Sequence, residues 1–175
     1  MPTAYYTTEG LVLRKMPFGE ADFLVRIITR DFGKMDILAR GARKSASKLN
    51  PHLDMLNFLR IAFVQNGERL PTLTDAEIIE RFDDWFLDAD RIALAGRMLK
   101  TIDAIVHAGE RDPGLLDIVR ASLQSIKDNA DGENIGNRFV QAFLAHQGYG
   151  EKTDYSLLPP EVADTIMKTW PNSMT

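Results

Sequence analysis

A change of hydrophobic period near residue 82 constrains the fold more than any other feature of the sequence. Before it, apolar residues come in short β-branched and aromatic runs: Thr7–Met16, Ala21–Arg30, Lys34–Arg40, Leu53–Val64 and Arg69–Ile79. Turn residues separate them, at Pro17-Phe18-Gly19, Asp31-Phe32-Gly33 and Asn66-Gly67, where proline presets φ and glycine or asparagine accepts a positive one. Alternation and β-branching mark strands. Pro71 cannot donate to a ladder, so it belongs at an edge or a bulge. Five short strands, with residues 42–51 as the longer connection between the third and fourth, predict a small barrel of the OB type.

Beyond residue 82 the spacing switches. Trp85, Ala89, Ile92, Gly96, Leu99, Ile102 and Val106 fall at steps of three and four, the stripe of an amphipathic helix. Asp112-Pro113 starts a second helix, with Leu115, Leu116, Val119, Leu123 and Ile126 as its buried face. Ile135, Phe139, Ala142 and Phe143 mark a third, ending at Gly148, and Pro159-Pro160 opens a last one through Trp170. The predicted class is therefore α+β: a five-stranded OB-type barrel over residues 1–81, then an all-α domain over 82–175.

The chain holds no cysteine, which excludes disulfides and cysteine-ligated zinc or iron–sulfur clusters in it. No signal peptide and no membrane-length apolar run is visible, so the expected location is the cytoplasm. The net charge is −4, but it is unevenly spread. Residues 1–80 carry 11 Lys and Arg against 10 Asp and Glu, whereas residues 81–175 carry 10 against 15. Within the first part Arg40, Arg43, Lys44 and Lys48 stand in nine residues (RGARKSASK) without an acid. Such a run neutralises phosphates regardless of base sequence. It also suits a merely solvated loop, and composition alone leaves both open. Arg14, Arg26 and Arg60 sit among apolar neighbours and are expected to point away from the core set Leu13, Val25, Ile27, Leu59 and Ile61. With Lys34, they complete the candidate DNA contacts. Phe18, Phe32 and Phe58 are candidate stacking surfaces, although aromatics of a small barrel are more often core.

Several of these segments resemble the RecO family. They are Gly10–Arg14, Pro17–Asp22, Thr29–Lys34, Ala39–Lys44 with Ser45–Leu49, and Leu73–Glu77, in order and at matching spacings. The resemblance covers the first half well and the helical half in pattern only. It implies a non-enzymatic mediator of recombinational repair that binds single- and double-stranded DNA and anneals complementary strands. It further implies action with RecR and single-strand-binding protein in loading recombinase. It also implies that the helical half holds the acidic tail of single-strand-binding protein, for which Arg91, Arg97, Lys100 and Arg120 are the candidate cations. The family's four-cysteine zinc site would follow the helix ending at Gly148-Tyr149, where this chain has Glu151–Leu158 (EKTDYSLL).

Enzymatic readings find no support. His52, His107 and His146 are far apart, no P-loop or GxGxxG is present, and the acidic run Asp128–Glu133 places Lys127 at the first position of a calcium loop. No small-molecule substrate, membrane contact or cofactor is expected. A protein-docking adaptor and an OB-fold RNA binder remain the alternatives. Elemental analysis of the purified chain is expected to find no stoichiometric zinc, and chelators should leave its melting temperature unchanged. One metal per chain would overturn this.

Overall fold

The computed structural model describes residues 3–82, 88–128, 132–150 and 154–171. Five strands are present: β1 (Thr3–Phe18), β2 (Asp22–Thr29), β3 (Gly33–Ala39), β4 (Asn57–Asn66) and β5 (Thr72–Arg81). They form a closed ring in the order β1-β2-β3-β5-β4. All neighbours are antiparallel except β3 and β5, joined in parallel at Leu38 and Thr72. This is the OB-type barrel expected from the strand count and the long third connection. Pro71 precedes β5 and donates nothing; its carbonyl accepts from the Leu38 amide at 2.9 Å.

Alternation fills the barrel. Val12, Val25, Ile27, Ile37, Ala39, Leu59, Ile61, Phe63, Leu73 and Ala76 form one buried cluster. Leu13, also expected in the core, is buried as well. A bulge between Val12 and Arg14 shifts the register there, and the consecutive residues Val12 and Leu13 are both buried. The fourth strand begins later than its apolar run suggests. Leu53 lies in the connection, after a 3-10 turn at Asn50–His52, and enters the barrel core with Ala42, while Leu49 packs against it. The connection thus plugs the interior that five strands alone leave open.

The described helices are α1 (Ala89–Ile105), α2 (Pro113–Lys127), α3 (Gly132–Leu144) and α4 (Pro160–Thr169). Asp88 caps α1 by accepting from the Arg91 amide at 3.2 Å, as short polar side chains do at helix starts. The buried face of α1 is Leu94, Ala95, Met98, Leu99, Thr101, Ile102 and Ile105, rotated from the expected stripe so that Gly96 is exposed. The reason is packing against two neighbours, α3 and α4, which demands a broader apolar face than one stripe. Trp85 lies outside the described residues. α2 buries the expected five residues. α3 continues as a wider turn through Ala145–Tyr149, with Gly148 at φ 90°. Trp170 ends α4; its indole N–H donates to Thr101 Oγ1 at 2.8 Å and its ring lies 5.8 Å from that of Phe139.

The chain divides into two compact units, and His107–Pro113, which lies between α1 and α2 in sequence, belongs with the strands. The Gly109 amide donates to the Lys34 carbonyl at 2.9 Å, and Arg111 reaches Asp31 at 3.4 Å. A side chain at Gly33 would collide with the Glu110 backbone carbonyl. Among the described residues no helix is long and apolar enough to cross a membrane.

Two outcomes are expected. Gly33 and Gly41 share a φ of 65°, so alanine at either incurs the same left-handed strain, about 1 kcal/mol. Only Gly33 faces the Glu110 backbone, whereas Gly41 has just the Lys44 side chain at 3.8 Å. Denaturant titration should therefore show Gly33→Ala costing clearly more than Gly41→Ala; equal losses would contradict the docking of residues 107–113. The second outcome concerns the cross-strand pair Arg26 and Asp36, bonded at 2.7 and 2.9 Å. The hydrogen bond from Arg26 holds the Asp36 carboxyl below its ordinary 3.8, burial opposing it and the charges of Arg26 and Lys34 adding to it. The folded chain then binds fewer protons there than the unfolded one. That contribution is complete above the unfolded value and is lost as pH falls through the folded one. Asp36→Asn should cost about 1 kcal/mol near neutrality, and the gap from wild type should shrink below about pH 4.

Candidate nucleic-acid interface

Strand order determines where the cations go. Ala39, the last residue of β3, is in register with Phe23 on β2, so the chain leaves the barrel beside the β1–β2 turn. Three hydrogen bonds then hold the departing loop against that turn. The Gly41 amide donates to Asp22 Oδ1 at 2.7 Å, the Arg43 amide to the Ala21 carbonyl at 2.9 Å, and Arg43 Nη1 to the Gly19 carbonyl at 2.9 Å. Inside the loop the Lys44 amide donates to Gly41 and that of Ser47 to Lys44. With Ala42 and Leu49 turned into the barrel, the segment is tethered along its length. Arg40, Arg43, Lys44 and Lys48 are all exposed, and among the described residues none of the four faces a carboxylate within ion-pair distance.

A fifth cation joins them. Arg69 is exposed in the β4–β5 turn, and this turn runs into Pro71, whose carbonyl is bonded to Leu38 near the end of β3. Arg69 therefore stands at the same end of the barrel. Sequence reasoning passed over it, because an isolated arginine after Asn66-Gly67 carries no signal until the β3–β5 pairing is known.

The remaining candidates on the strands are differently placed. Arg26 is half-buried and bidentate to Asp36. Arg60 is exposed but lies between Glu77 at 3.1 Å and Glu9 at 3.6 Å, so its charge is locally compensated. Lys34 is half-buried beside Asp36. Arg14 is exposed on β1, opposite Arg26. Lys15, which sequence reasoning left aside, is engaged by Asp54 and lies 5.0 Å from the centre of the Phe23 ring. Among the described residues Arg14 and the end-of-barrel group thus remain exposed and outside ion pairs, while Arg26 and Arg60 serve cross-strand pairs.

The three aromatics separate as well. Phe58 is in the interior at 1% exposure, its ring 6.3 Å from that of Phe82. Phe32 packs on the core within a triangle of rings with Tyr6 and Phe63, at 5.1 to 5.3 Å. Phe18, at the tip of the β1–β2 hairpin, is 45% exposed.

In the helical unit Arg91 pairs with Asp88 at 3.0 Å within the α1 cap. Arg97 lays its guanidinium over the Trp170 ring, 4.9 Å from the centre, a favourable cation–π geometry. Lys100, three residues on, and Arg120 on α2 are both exposed. Among the described residues no cluster of three or more His, Asp or Glu is placed to hold a metal ion.

Residues 1–82 match the family described as "Recombination protein O N terminal", and residues 87–156 match "Recombination protein O C terminal". The chain is 28% identical over 153 residues to the DNA repair protein RecO of Clostridium acetobutylicum, covering 87% of this chain and 62% of that protein. It is 29% identical to the RecO of Desulforudis audaxviator, covering 83% and 57%. Against that of Frankia casuarinae it is 30% identical, covering 86% and 63%. The chain thus spans about three fifths of the length of these curated relatives. A closed barrel of five strands, followed by helices, and consecutive matches to both parts of one family lead to a single assignment: this chain belongs to the RecO family.

Proposed function

We propose that this chain is a non-catalytic DNA-binding mediator of recombinational repair, and that its barrel grips the sugar-phosphate backbone of single and double strands. The observation that carries the reading is the cation group at one barrel end. Arg40, Arg43, Lys44 and Lys48 are exposed, form no ion pair among the described residues, and lie in a loop held by the β1–β2 turn, with Arg69 alongside. Phosphate contacts position a strand without reading its sequence, which is what annealing and recombinase loading require of a mediator. Arg14 extends the contact along β1, whereas Arg26, Lys34 and Arg60 contribute chiefly to the sheet. The relatives' shared name, DNA repair protein RecO, supports the same role. The implied contact with the acidic tail of single-strand-binding protein falls in this reading to the exposed Lys100 and Arg120 with Arg97. RecR completes the expected partners.

The test is charge reversal at the residues whose side chains leave the fold alone. Arg40→Glu, Lys44→Glu and Lys48→Glu together should weaken binding to single strands and duplex alike, by at least about tenfold near physiological salt. The log–log salt slope on single strands should flatten by about 0.7 for each phosphate contact removed. Arg60→Glu should have a much smaller effect, because Glu9 and Glu77 already offset that charge. Unchanged affinity in a folded triple variant would overturn the assignment.

A further inference from the structure

The cation group explains affinity for any nucleic acid but not a preference among its forms. Phe18 supplies what is missing. It sits at the end of β1, paired with Asp22 across the hairpin, and keeps 45% of its surface in water. Its neighbour Phe23 instead turns inward and packs against the barrel core. Past the bulge at Val12, alternation places Arg14, Met16 and Phe18 on one face of β1, with Arg14 and Phe18 both exposed. Four residues of strand separate these two by about 13 Å, a span that an extended single strand covers in two nucleotides. The turn that carries Phe18 is also the one that holds the cation loop: Gly19 accepts from the Arg43 guanidinium, Ala21 from the Arg43 amide, and Asp22 from the Gly41 amide. Ring and cations therefore form one connected assembly rather than two independent surface features.

We propose that Phe18 is a base-stacking platform that makes this site prefer single-stranded DNA, with Arg43 and its neighbours on one side and Arg14 on the other holding the adjoining phosphates. The inference rests on the DNA-binding reading above and adds the form of the ligand to it. A base in a single strand has a free π-face, and stacking it on an aromatic ring is favourable whatever the base. A base in a duplex is already stacked on both sides, and opening a step to admit a ring costs a few kcal/mol. The phosphates of both forms meet the same cations. Only the single strand gains from Phe18.

Fluorescence anisotropy with a labelled oligothymidine and a labelled duplex of equal length, on the whole chain, tests this. Phe18→Ala should weaken oligothymidine binding about five- to fiftyfold and leave duplex binding and melting temperature unchanged. Phe18→Trp should keep the single-strand affinity. Phe18→Leu, which retains an apolar side chain but lacks the π-face, should behave like alanine; it guards against a folding defect in the smaller variant. Equal losses on both ligands, or full affinity in the leucine variant, would overturn the stacking role. The Arg40, Lys44 and Lys48 reversal serves as the reference, since it should lower both affinities together. If the wild-type chain binds neither ligand, the DNA-binding reading fails and this inference with it. Duplex and single-strand binding that both survive Phe18→Ala would sink only the inference.

Discussion

A five-stranded sheet has two edges, and the barrel exists because those edges meet. The meeting point is short. β3 and β5 run parallel and are joined at Leu38 and Thr72, with the Leu38 amide bonded to Pro71. Unpaired backbone groups at a strand edge invite association with other chains, and closure removes that exposure. Closure also makes an interior that must be filled, and the strands alone do not fill it. Ala42 and Leu53, from the connection between β3 and β4, enter the core, and Leu49 packs against it. The segment that plugs the barrel is thus the one that carries the cations out of it. Apolar residues point in and charged ones point out within the one segment from Arg40 to Leu53. Packing thereby holds the charges at one end of the barrel.

The electrostatics follow from that arrangement more than from the net charge. The chain is acidic as a whole, which should repel nucleic acid at long range. Screening limits that repulsion to about 8 Å at physiological salt, so local pairing decides. Three cations on the barrel wall have carboxylates beside them: Asp36 for Arg26, Glu9 and Glu77 for Arg60, Asp54 for Lys15. Those at the barrel end form no ion pair among the described residues. Asp22, an acid of the β1–β2 turn, accepts from the Gly41 amide and so shapes the loop.

In the helical unit one side chain organises several others. Trp170 donates to Thr101, receives the Arg97 guanidinium on its face, and lies 5.8 Å from the Phe139 ring at a tilt of 42°. Gly136 on α3 is close enough that a side chain there would strike the Trp170 ring. A single indole thus joins α1, α3 and the end of α4. Its polar N–H is satisfied where a phenylalanine would have left Thr101 without that donor.

Much of this was legible from residue order. The change of period separated strands from helices, and the turn residues located the hairpins, because both report local backbone preference. The outward placement of Arg14 and Arg60 followed from alternation. Alternation alone could not show that Val12 and Leu13 are both buried, since a bulge is a two-strand property that one strand cannot announce. The apolar residue Leu53 read as strand for a similar reason: whether it extends β4 or plugs the barrel depends on how much space the ring encloses. On α1 the buried face turned because two helices pack on it, and one helix's periodicity counts only itself. The sequence by itself determined the fold class, the five strands and the existence of a basic loop, all of which rest on contacts between near neighbours in the chain. Tertiary structure alone decided which cations are compensated, that Arg69 joins them, that residues 107–113 return to the strands, and that Phe18 stays exposed while Phe58 does not. Those outcomes depend on pairing between residues far apart in sequence, and the closing of the barrel is what brings them together.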